Sequence, residues 1–343
     1  MQQRLTELWY APARASLLQP LGWLYAQVMR ARRALYGAGV LRTVRPGCPV
    51  VVIGNLTVGG TGKTPLTLWL SAALSARGRR VGIVSRGHGR RDRRAQAVTA
   101  GSDWRFVGDE PVLLARRSGC ALVVAQDRAA GAAALIAQGV DVVVADDGLQ
   151  HLRLARDCEI LVVDGARGFG NGRVLPAGPL REPAAQLARA DLVVVNGATE
   201  HPSLAALPAD RTFNMQLGMG AAVRVDGQGA ARPLGEFRGQ RVHAVAGIGN
   251  PARFFRALRE QGIEPIEHPF PDHHPFSAHE LDFGDDAPVL MTEKDAVKCS
   301  GFADARLWYV PVTAQFSAAG AQQLLQRVLA KIDQPHGGRG VTA

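Results

Sequence analysis

The apolar positions of this chain alternate between short β-branched runs and stretches with helical spacing. The run at 50–53 is followed by glycines and then by a helical pattern over 66–77. Further continuous apolar runs lie at 81–85, 121–125, 141–146, 159–164 and 191–196. Strands that are apolar throughout are typical of parallel sheets covered on both sides. The pattern therefore predicts an α/β fold, in which a mostly parallel sheet carries helices on both faces.

The pattern changes near residue 198, where Pro, Gly and Ala dominate and only short alternating pieces remain. Two of these pieces, 212–217 and 221–225, predict a linker strand pair within residues 211–235. Beyond the linker, apolar runs at 242–247, 263–268, 289–292 and 307–312 alternate with helical patterns at 251–261 and 318–332. We therefore expect a core at 48–210, a smaller second α/β domain at 236–333, and a disordered tail at 334–343.

The first 47 residues stand apart by charge and aromatic content. They hold seven arginines against one acid, Glu7, and so carry +6 of the net charge of +10. Two of the five tryptophans and three of the four tyrosines also lie here, beside leucines at helical spacing. This mixture suits an anionic membrane surface, so we expect a basic amphipathic segment that lies on the bilayer. The alternative is an apolar stripe that packs on the catalytic domain while the arginines face water.

Composition argues against several other classes of protein. The chain has no run of about 18 apolar residues, as a spanning helix requires. No export signal is apparent, and the four cysteines lie far apart without a Cys-x-x-Cys pair, which fits a reducing cytoplasm. A basic protein also suits nucleic acid. However, the chain shows neither a basic run interleaved with aromatics nor zinc-finger spacing, so we expect no nucleic-acid partner.

The strongest chemical signal is a glycine-rich stretch between a predicted strand and a predicted helix, which is the context that a P-loop requires. Such glycines let backbone N–H groups close on phosphate oxygens, and the helix N-terminus adds positive potential. Lys63 is expected to reach the outer phosphates and act in catalysis, and the Thr64 hydroxyl to ligate magnesium. The fold is therefore predicted to be P-loop NTPase-like. The predicted nucleotide-binding residues of the loop are Thr57, Val58, Gly59, Gly60, Thr61, Gly62, Lys63 and Thr64.

A second signal is a pair of acids, Asp146 and Asp147, at the end of an apolar run. Open α/β sheets bind ligands at the carboxyl ends of their strands, so either acid can hold magnesium. Two adjacent acids at a strand end often form only a turn. Their position downstream of a P-loop favours the metal site.

A kinase also needs a carboxylate or imidazole near the hydroxyl that receives the phosphate. Asp109 lies in an acidic pair outside any hydrophobic period, and His273 lies in the cluster at 270–275. A pair formed by these two residues would supply the catalytic group, although spacing alone does not bring them together. Four histidines between 268 and 279 also suggest zinc, but they lack a second ligand type at helical spacing.

Six short motifs occur in a specific order along nearly the whole chain. They read Gly-Gly-Thr-Gly-Lys-Thr-Pro at 59, Ser-Arg-Gly at 85, Gly-Asp-Glu-Pro at 108, Asp-Asp-Gly-Leu-Gln-His at 146, Leu-Pro-Ala-Gly-Pro-Leu-Arg-Glu-Pro at 175 and Asp-His-His at 272. In this order they resemble the tetraacyldisaccharide 4′-kinase family of lipid A assembly, which also tends to carry the Thr-Glu-Lys-Asp found at 292. The sequence departs from the family at His88 and His274, where an aromatic residue is more common.

The resemblance implies an ATP-dependent kinase with ATP and Mg²⁺ as cofactors. It implies transfer of the γ-phosphate to the 4′-hydroxyl of a tetraacylated disaccharide 1-phosphate, which gives lipid IVA. The acceptor would be an inner-membrane lipid, met by a peripheral enzyme on the cytoplasmic face. By the same resemblance Arg128 and Gln150 support nucleotide binding. The metal ligands are expected among Thr64, Asp146, Asp147 and Glu182.

Two rival functions remain at this point. A partitioning ATPase or nucleotide-dependent switch shares the double-glycine loop, but such proteins typically carry a lysine where Val58 stands. A membrane-binding module without catalysis accounts for the first 47 residues and leaves the P-loop and the acids without a role.

Overall fold

The computed structural model describes residues 9–10, 17–87, 90, 94–302 and 304–334. Parts of the predicted membrane segment, at 1–8 and 11–16, lie outside the described residues, as do His88 and most of the predicted tail. Within the described ranges, no helix is both long and apolar enough to cross a bilayer.

The described part of the chain forms fourteen strands in two sheets. The strands are β1 Val50–Gly54, β2 Val81–Ser85, β3 Gln96–Val98, β4 Ala121–Val124, β5 Val142–Asp146, β6 Cys158–Asp164, β7 Leu192–Asn196, β8 Thr212–Met219, β9 Val223–Arg224, β10 His243–Ala246, β11 Ile266–Pro269, β12 Val289–Thr292, β13 Leu307–Val310 and β14 Val312–Gln315.

The helices connect most of these strands. They are α1 Gln19–Gly37, α2 Lys63–Ser75, α3 Trp104–Val107, α4 Asp109–Ser118, α5 Arg128–Ile136, α6 Pro251–Glu260, α7 Glu293–Cys299 and α8 Ala318–Ile332. The last one shows how local sequence fixes a helix: the Ser317 hydroxyl caps it by accepting from Gly320 N at 3.1 Å. Its residues Leu324 and Val328, four positions apart, then face the same apolar core.

The large sheet has the order β14-β8-β7-β6-β1-β5-β2-β4-β3 and is parallel except at its two edge strands. Strand β1 lies inside it and is buried throughout. Because side chains alternate along a strand, Val50 and Val52 enter the core on one face, and Val51 and Ile53 the core on the other. Each fully buried valine contributes about 1.5–3 kcal/mol. The predicted α/β fold with a mostly parallel, doubly covered sheet is confirmed.

The second sheet has the order β11-β10-β12-β13-β9, with parallel pairing except at β9. Its strands are also apolar on both faces: Ala244 and Leu290 face one core, whereas Val245 and Met291 face another. The smaller α/β unit expected from the sequence therefore has its own sheet. We refer to the residues around the large sheet as the first unit and to those around this sheet as the second unit.

The expected linker strand pair is wrong. Strand β8 joins the large sheet between β7 and β14, and β9 pairs with β13 of the small sheet, so the two pieces do not pair with each other. The end of the chain also differs from the expectation, since β14 returns to the large sheet and α8 packs on its core. An alternating pattern identifies a strand, but distant residues decide which partner it takes.

Candidate active site

The carboxyl ends of five parallel strands meet at one edge of the large sheet. This edge presents Asn55 after β1, Ser85 at the end of β2, Asp146 at the end of β5, Asp164 at the end of β6 and Asn196 at the end of β7. All five residues are buried. The edge therefore concentrates polar side chains where an open α/β sheet binds its ligand.

The glycine-rich loop leaves β1 at this edge and leads directly into α2. Its backbone is fastened by the Asn55 amide, which donates to Thr57 O at 2.7 Å, and by Val58 N, which donates to Pro179 O at 2.8 Å. Gly62 has a φ of 98°, and a Cβ there would lie 2.5 Å from the Asn196 amide nitrogen. That amide donates to Thr61 O at 2.9 Å, so the close approach requires glycine.

Lys63 and Thr64 begin α2, as expected for a P-loop. The Lys63 ammonium lies 3.0 Å from Asn55 Oδ1 and 3.5 Å from Asp147 Oδ1. The Thr64 hydroxyl donates to a carboxylate oxygen of Glu110, the second residue of α4. The loop thus brings one cation and one hydroxyl to the acids at the sheet edge.

The two acids after β5 have opposite electrostatic surroundings. Asp146 is fully buried and accepts from Thr67 at 3.2 Å. Burial and the negative charges of Glu110 and Asp147 raise its pKa. Burial also opposes ionisation of Asp147, but Lys63 and Arg181 outweigh it and hold the pKa of Asp147 well below its usual range. Arg181 Nη1 lies 3.0 Å from Asp147 Oδ2.

Asp109 and His273 meet across the boundary between the two units. Nδ1 of His273 lies 3.0 and 3.1 Å from the Asp109 carboxylate oxygens. The carboxylate is buried and also accepts from Glu110 N at 2.8 Å. Burial opposes its ionisation, but the hydrogen bond from His273 and the charges of Lys294 and Lys298 lower its pKa to about 2. The bond to Asp109 in turn raises the pKa of His273.

The second unit also contacts the P-loop. A Cβ at Gly249 would lie 3.4 Å from Gly60 N, which is ordinary packing contact. Arg253, in the first turn of α6, donates to Asp164 at 3.1 Å and to Asn196 at 2.9 Å. Because Asn196 holds the P-loop carbonyl of Thr61, these contacts join the second unit to the phosphate-binding edge of the first.

Nearly the whole chain matches one protein family. The family model described as tetraacyldisaccharide-1-P 4′-kinase matches residues 14–330. The chain belongs to this family. A tetraacyldisaccharide 4′-kinase from Alkalilimnicola ehrlichii is 54% identical over 312 residues, which are 91% of this chain and 92% of that protein. Another from Pseudomonas paraeruginosa is 49% identical over 322 residues, covering 92% and 94% of the two chains.

A solved structure supports the same assignment. The crystal structure of LpxK from Aquifex aeolicus in complex with ATP is similar with a TM-score of 0.78 and 29% sequence identity. The similarity covers 92% of this chain and 98% of that one. The resemblance found in the sequence is therefore confirmed, and the 4′-kinase fold extends over both units.

Three site residues predicted by resemblance lie around the kinase site in supporting contacts. Arg128 is almost fully buried and donates to Ala125 O at 2.6 Å and Asp146 O at 3.4 Å, the ends of two strands. Gln150 donates to Asn55 O at 3.2 Å. Glu182 is buried against Arg33 of α1, 2.5 Å away. These contacts hold the edge of the site together, and the nucleotide and metal roles of the three residues stay predictions.

Helix α1 packs on the first unit in an orientation that neither alternative from the sequence described. Its small residues Gly22 and Ala26 are buried, whereas Trp23 and Leu24 are 64% and 55% exposed. Two of its three arginines contact the first unit, since Arg33 binds Glu182 and Arg32 donates to Gln150 O at 3.2 Å, whereas Arg30 is exposed. The alternative of a buried apolar stripe is therefore wrong for this helix, and its expected position on the bilayer stays a prediction.

Several residues of the site were not selected from the sequence. Four of them contact a predicted site residue directly: Asn55, Glu110, Arg181 and Lys294. Arg253 contacts Asn196, which in turn binds the P-loop carbonyl of Thr61. Glu110 directly follows Asp109, and Arg181 directly precedes Glu182. Their position next to a predicted site residue is the signal that could have identified them. Arg253 carries no such signal, because α6 reads as an ordinary amphipathic helix.

Proposed function

We propose that the phosphoryl transfer takes place between the P-loop and the Asp109–His273 pair. The chain is an ATP-dependent lipid kinase, which transfers the γ-phosphate of ATP to the 4′-hydroxyl of a tetraacyldisaccharide 1-phosphate and forms lipid IVA. The observation that supports these residue roles best is the contact of Asp109 with His273, because it joins an imidazole and a carboxylate beside Glu110, which binds the P-loop Thr64.

The sheet edge fits ATP and Mg²⁺. Asp146 is buried beside the negative charges of Glu110 and Asp147, and a cation there would relieve their repulsion. Among the residues that the structure describes, no group of three His, Cys, Asp or Glu side chains is arranged to hold a metal by itself. Magnesium in phosphate sites takes one or two carboxylates, with phosphates and waters completing its shell. We assign that role to Thr64, Asp146 and Asp147, with Glu182 as a further candidate.

When bound, magnesium would neutralise charge on the outer phosphates, while the protein supplies positioning. Lys63 reaches the same region from the start of α2, where it faces Asp147 in this structure. Backbone N–H groups of the glycine-rich loop and the positive end of α2 provide further positive potential.

His273 is the group that accepts the proton of the lipid hydroxyl. An ionised carboxylate only accepts hydrogen bonds, so the ring atom facing Asp109, Nδ1, carries the proton. The neutral ring then has its lone pair on Nε2. The side chain of Asp109 is 4% exposed and that of His273 is 28% exposed, so His273 is the accessible member of the pair. Asp109 orients the ring and stabilises the imidazolium that forms.

The lipid would approach along α1. A groove of about 310 Å³ lies between this helix and residues 172–184, lined by Trp23, Arg30, Arg173 and Val174 among others. Apolar and cationic groups together suit an acylated anionic sugar. With the exposed apolar residues of α1, this surface supports a peripheral position on an anionic membrane, on the cytoplasmic face where ATP is available.

The first test measures ATP turnover with and without vesicles that contain the lipid disaccharide acceptor. We expect turnover to depend on the acceptor and Lys63→Met to lower kcat by about 10²–10³, the range for removing one charge-stabilising donor. Lys331→Met is the matched control, because Lys331 pairs with Asp191 on the surface of α8. Acceptor-independent ATP hydrolysis of equal rate, or an unchanged Lys63→Met variant, would contradict the kinase proposal.

A further inference from the structure

The Thr-Glu-Lys-Asp motif at 292–295 begins α7, next to the Asp109–His273 pair. Its side chains point in several directions from one helical turn. Glu293 binds Arg117 of α4 at 2.6 Å, and Asp295 accepts from Gly247 N at 2.9 Å. Lys294 reaches the loop that carries His273. The motif thus ties together the segments that bear the two members of the pair.

His273 needs such support because its backbone is unusual. It has a φ of 61°, in the left-handed region that non-glycine residues rarely adopt. Its amide donates to Gly247 O at 3.2 Å, and Gly247 is held in turn by Asp295. Such a conformation persists when the surrounding contacts determine it, and it often marks a functional site.

The Lys294 ammonium lies against the loop from the other side. Its Nζ is 3.3 Å from Asp272 Oδ1 and 3.5 Å from His273 Nε2. Burial opposes its charge, but Asp109, Glu110 and Asp272 outweigh burial and raise the pKa of Lys294, so it is a cation near neutral pH. A proton on Nε2 would place a second positive charge within this short distance.

We propose that Lys294 is a positioning residue for the phosphoryl transfer, which fixes the Asp272–His273 turn and opposes protonation of His273 at Nε2. This inference rests on the proposed role of His273 as proton acceptor. Two neighbours therefore act on the same ring in opposite senses. Asp109 favours the imidazolium from the Nδ1 side, and Lys294 disfavours it from the Nε2 side.

The charged groups that surround the ring agree with this division. Asp109 on α4 and Asp272 in the same loop raise the pKa of His273, and Lys294 on α7 lowers it. Lys298, one turn further along α7, lies 3.9 Å from Asp109 and 2.7 Å from Asp295, so it acts on the carboxylate side of the pair. The balance leaves His273 able both to accept a proton and to lose one.

The kinetic test compares Lys294→Met and Lys294→Arg with the wild type between pH 6 and 9, about the range where a histidine base titrates. We expect the acidic limb of kcat/KM to move to higher pH in Lys294→Met, with a loss of about tenfold or more at low pH that shrinks as the pH rises. Lys294→Arg keeps the charge and should restore most of the profile. An equal loss at every pH, with a raised KM for ATP, would overturn the proposal and place Lys294 on the nucleotide.

A second measurement needs no acceptor. The ring signals of His273 are followed by NMR titration of the full-length protein with ¹⁵N-labelled histidine, and assigned by their loss in His273→Gln. The titration should move to higher pH in Lys294→Met and remain in place in Lys331→Met. An unmoved titration would overturn the inference while leaving the kinase function intact. Absence of acceptor-dependent turnover in the wild type would instead contradict the proposed function.

Discussion

The candidate active site has two sides, one on each unit, and they are built in different ways. On the first-unit side, Asn55, Lys63 and Thr64 lie within ten residues, and the strand, loop and helix that hold them are consecutive in the chain. On the second-unit side, His273 owes its position to Asp109, to Gly247 and to α7. The P-loop side is therefore fixed by local geometry, whereas the side that is proposed to accept the proton exists only while the two units are in contact.

The largest effect should come from changing either member of the Asp109–His273 pair. We expect His273→Gln to lower kcat by about 10²–10⁴, the usual contribution of a general base.

Asp109→Asn keeps the shape but removes the charge that raises the pKa of His273, so the acidic limb of kcat/KM should move to lower pH. The sign follows because the ring loses its proton more easily without the carboxylate. KM for ATP should change little, since both residues lie outside the P-loop.

This shift is opposite to the one expected for Lys294→Met, which makes the pair of variants a strict test. If both variants moved the acidic limb of kcat/KM in the same direction, that limb could not reflect the titration of the His273 ring. If His273→Gln raised KM for ATP and left kcat unchanged, the proton-accepting side would belong to the nucleotide site, and the contrast between the two sides would fail.

A smaller effect is expected at the contact that joins the two sides. Arg253→Gln removes a guanidinium that binds Asp164 and Asn196 together, and Asn196 holds a P-loop carbonyl. Loss of a charged hydrogen bond of this kind costs about 1.5–3 kcal/mol, so KM for ATP should rise by about tenfold or more with a smaller change in kcat.

Arg256→Gln is the control for Arg253. It lies one turn later on α6, where Arg256 and Glu260 form an exposed pair 3.8 Å apart. Exposed pairs of this kind contribute little. A rise in KM of the same size in both variants would mean that α6 acts through general stability, and thermal unfolding of both proteins would show it.

The difference between the two sides also explains what the sequence could predict. The P-loop was found from one stretch of sequence because its phosphate-binding parts are contiguous. The bounds of α8 were likewise predicted without error, since a strong apolar period and a serine cap are local. Pairing of β8 and β9 was predicted wrongly, because their partners lie in β7, β13 and β14.

The candidate pair shows an intermediate case. Asp109 and His273 are 164 residues apart, and their chemistry together with the family resemblance suggested that they meet. The structure brings them together, and their catalytic role stays a prediction. Lys294 and Arg253 were not selected, because a charged residue on a short or amphipathic helix looks the same whether it faces solvent or a neighbouring unit.

The smallest effect on intrinsic turnover is expected at α1, which belongs to neither of these two sides. Its apolar residues Leu24 and Val28 are 55% and 57% exposed and do not line the proposed lipid groove, while Arg33 is fixed to Glu182. Leu24→Ser combined with Val28→Ser should weaken binding to anionic vesicles by tenfold or more, because each side chain loses about 1.5–3 kcal/mol of apolar burial in the interface. Turnover of a soluble, short-chain acceptor should be unchanged.

Two further variants make the argument about α1 decisive. Ile266→Ser removes a large residue that is also exposed, but on β11 of the second unit, and should leave vesicle binding unchanged.

Arg33→Gln should act on the enzyme rather than on the membrane. It leaves the buried Glu182 carboxylate without its described cation, so thermal stability should fall. If Arg33→Gln weakened vesicle binding as much as the apolar double change and left stability intact, the inward orientation of the arginines would be wrong. The helix would then meet the bilayer through its charges.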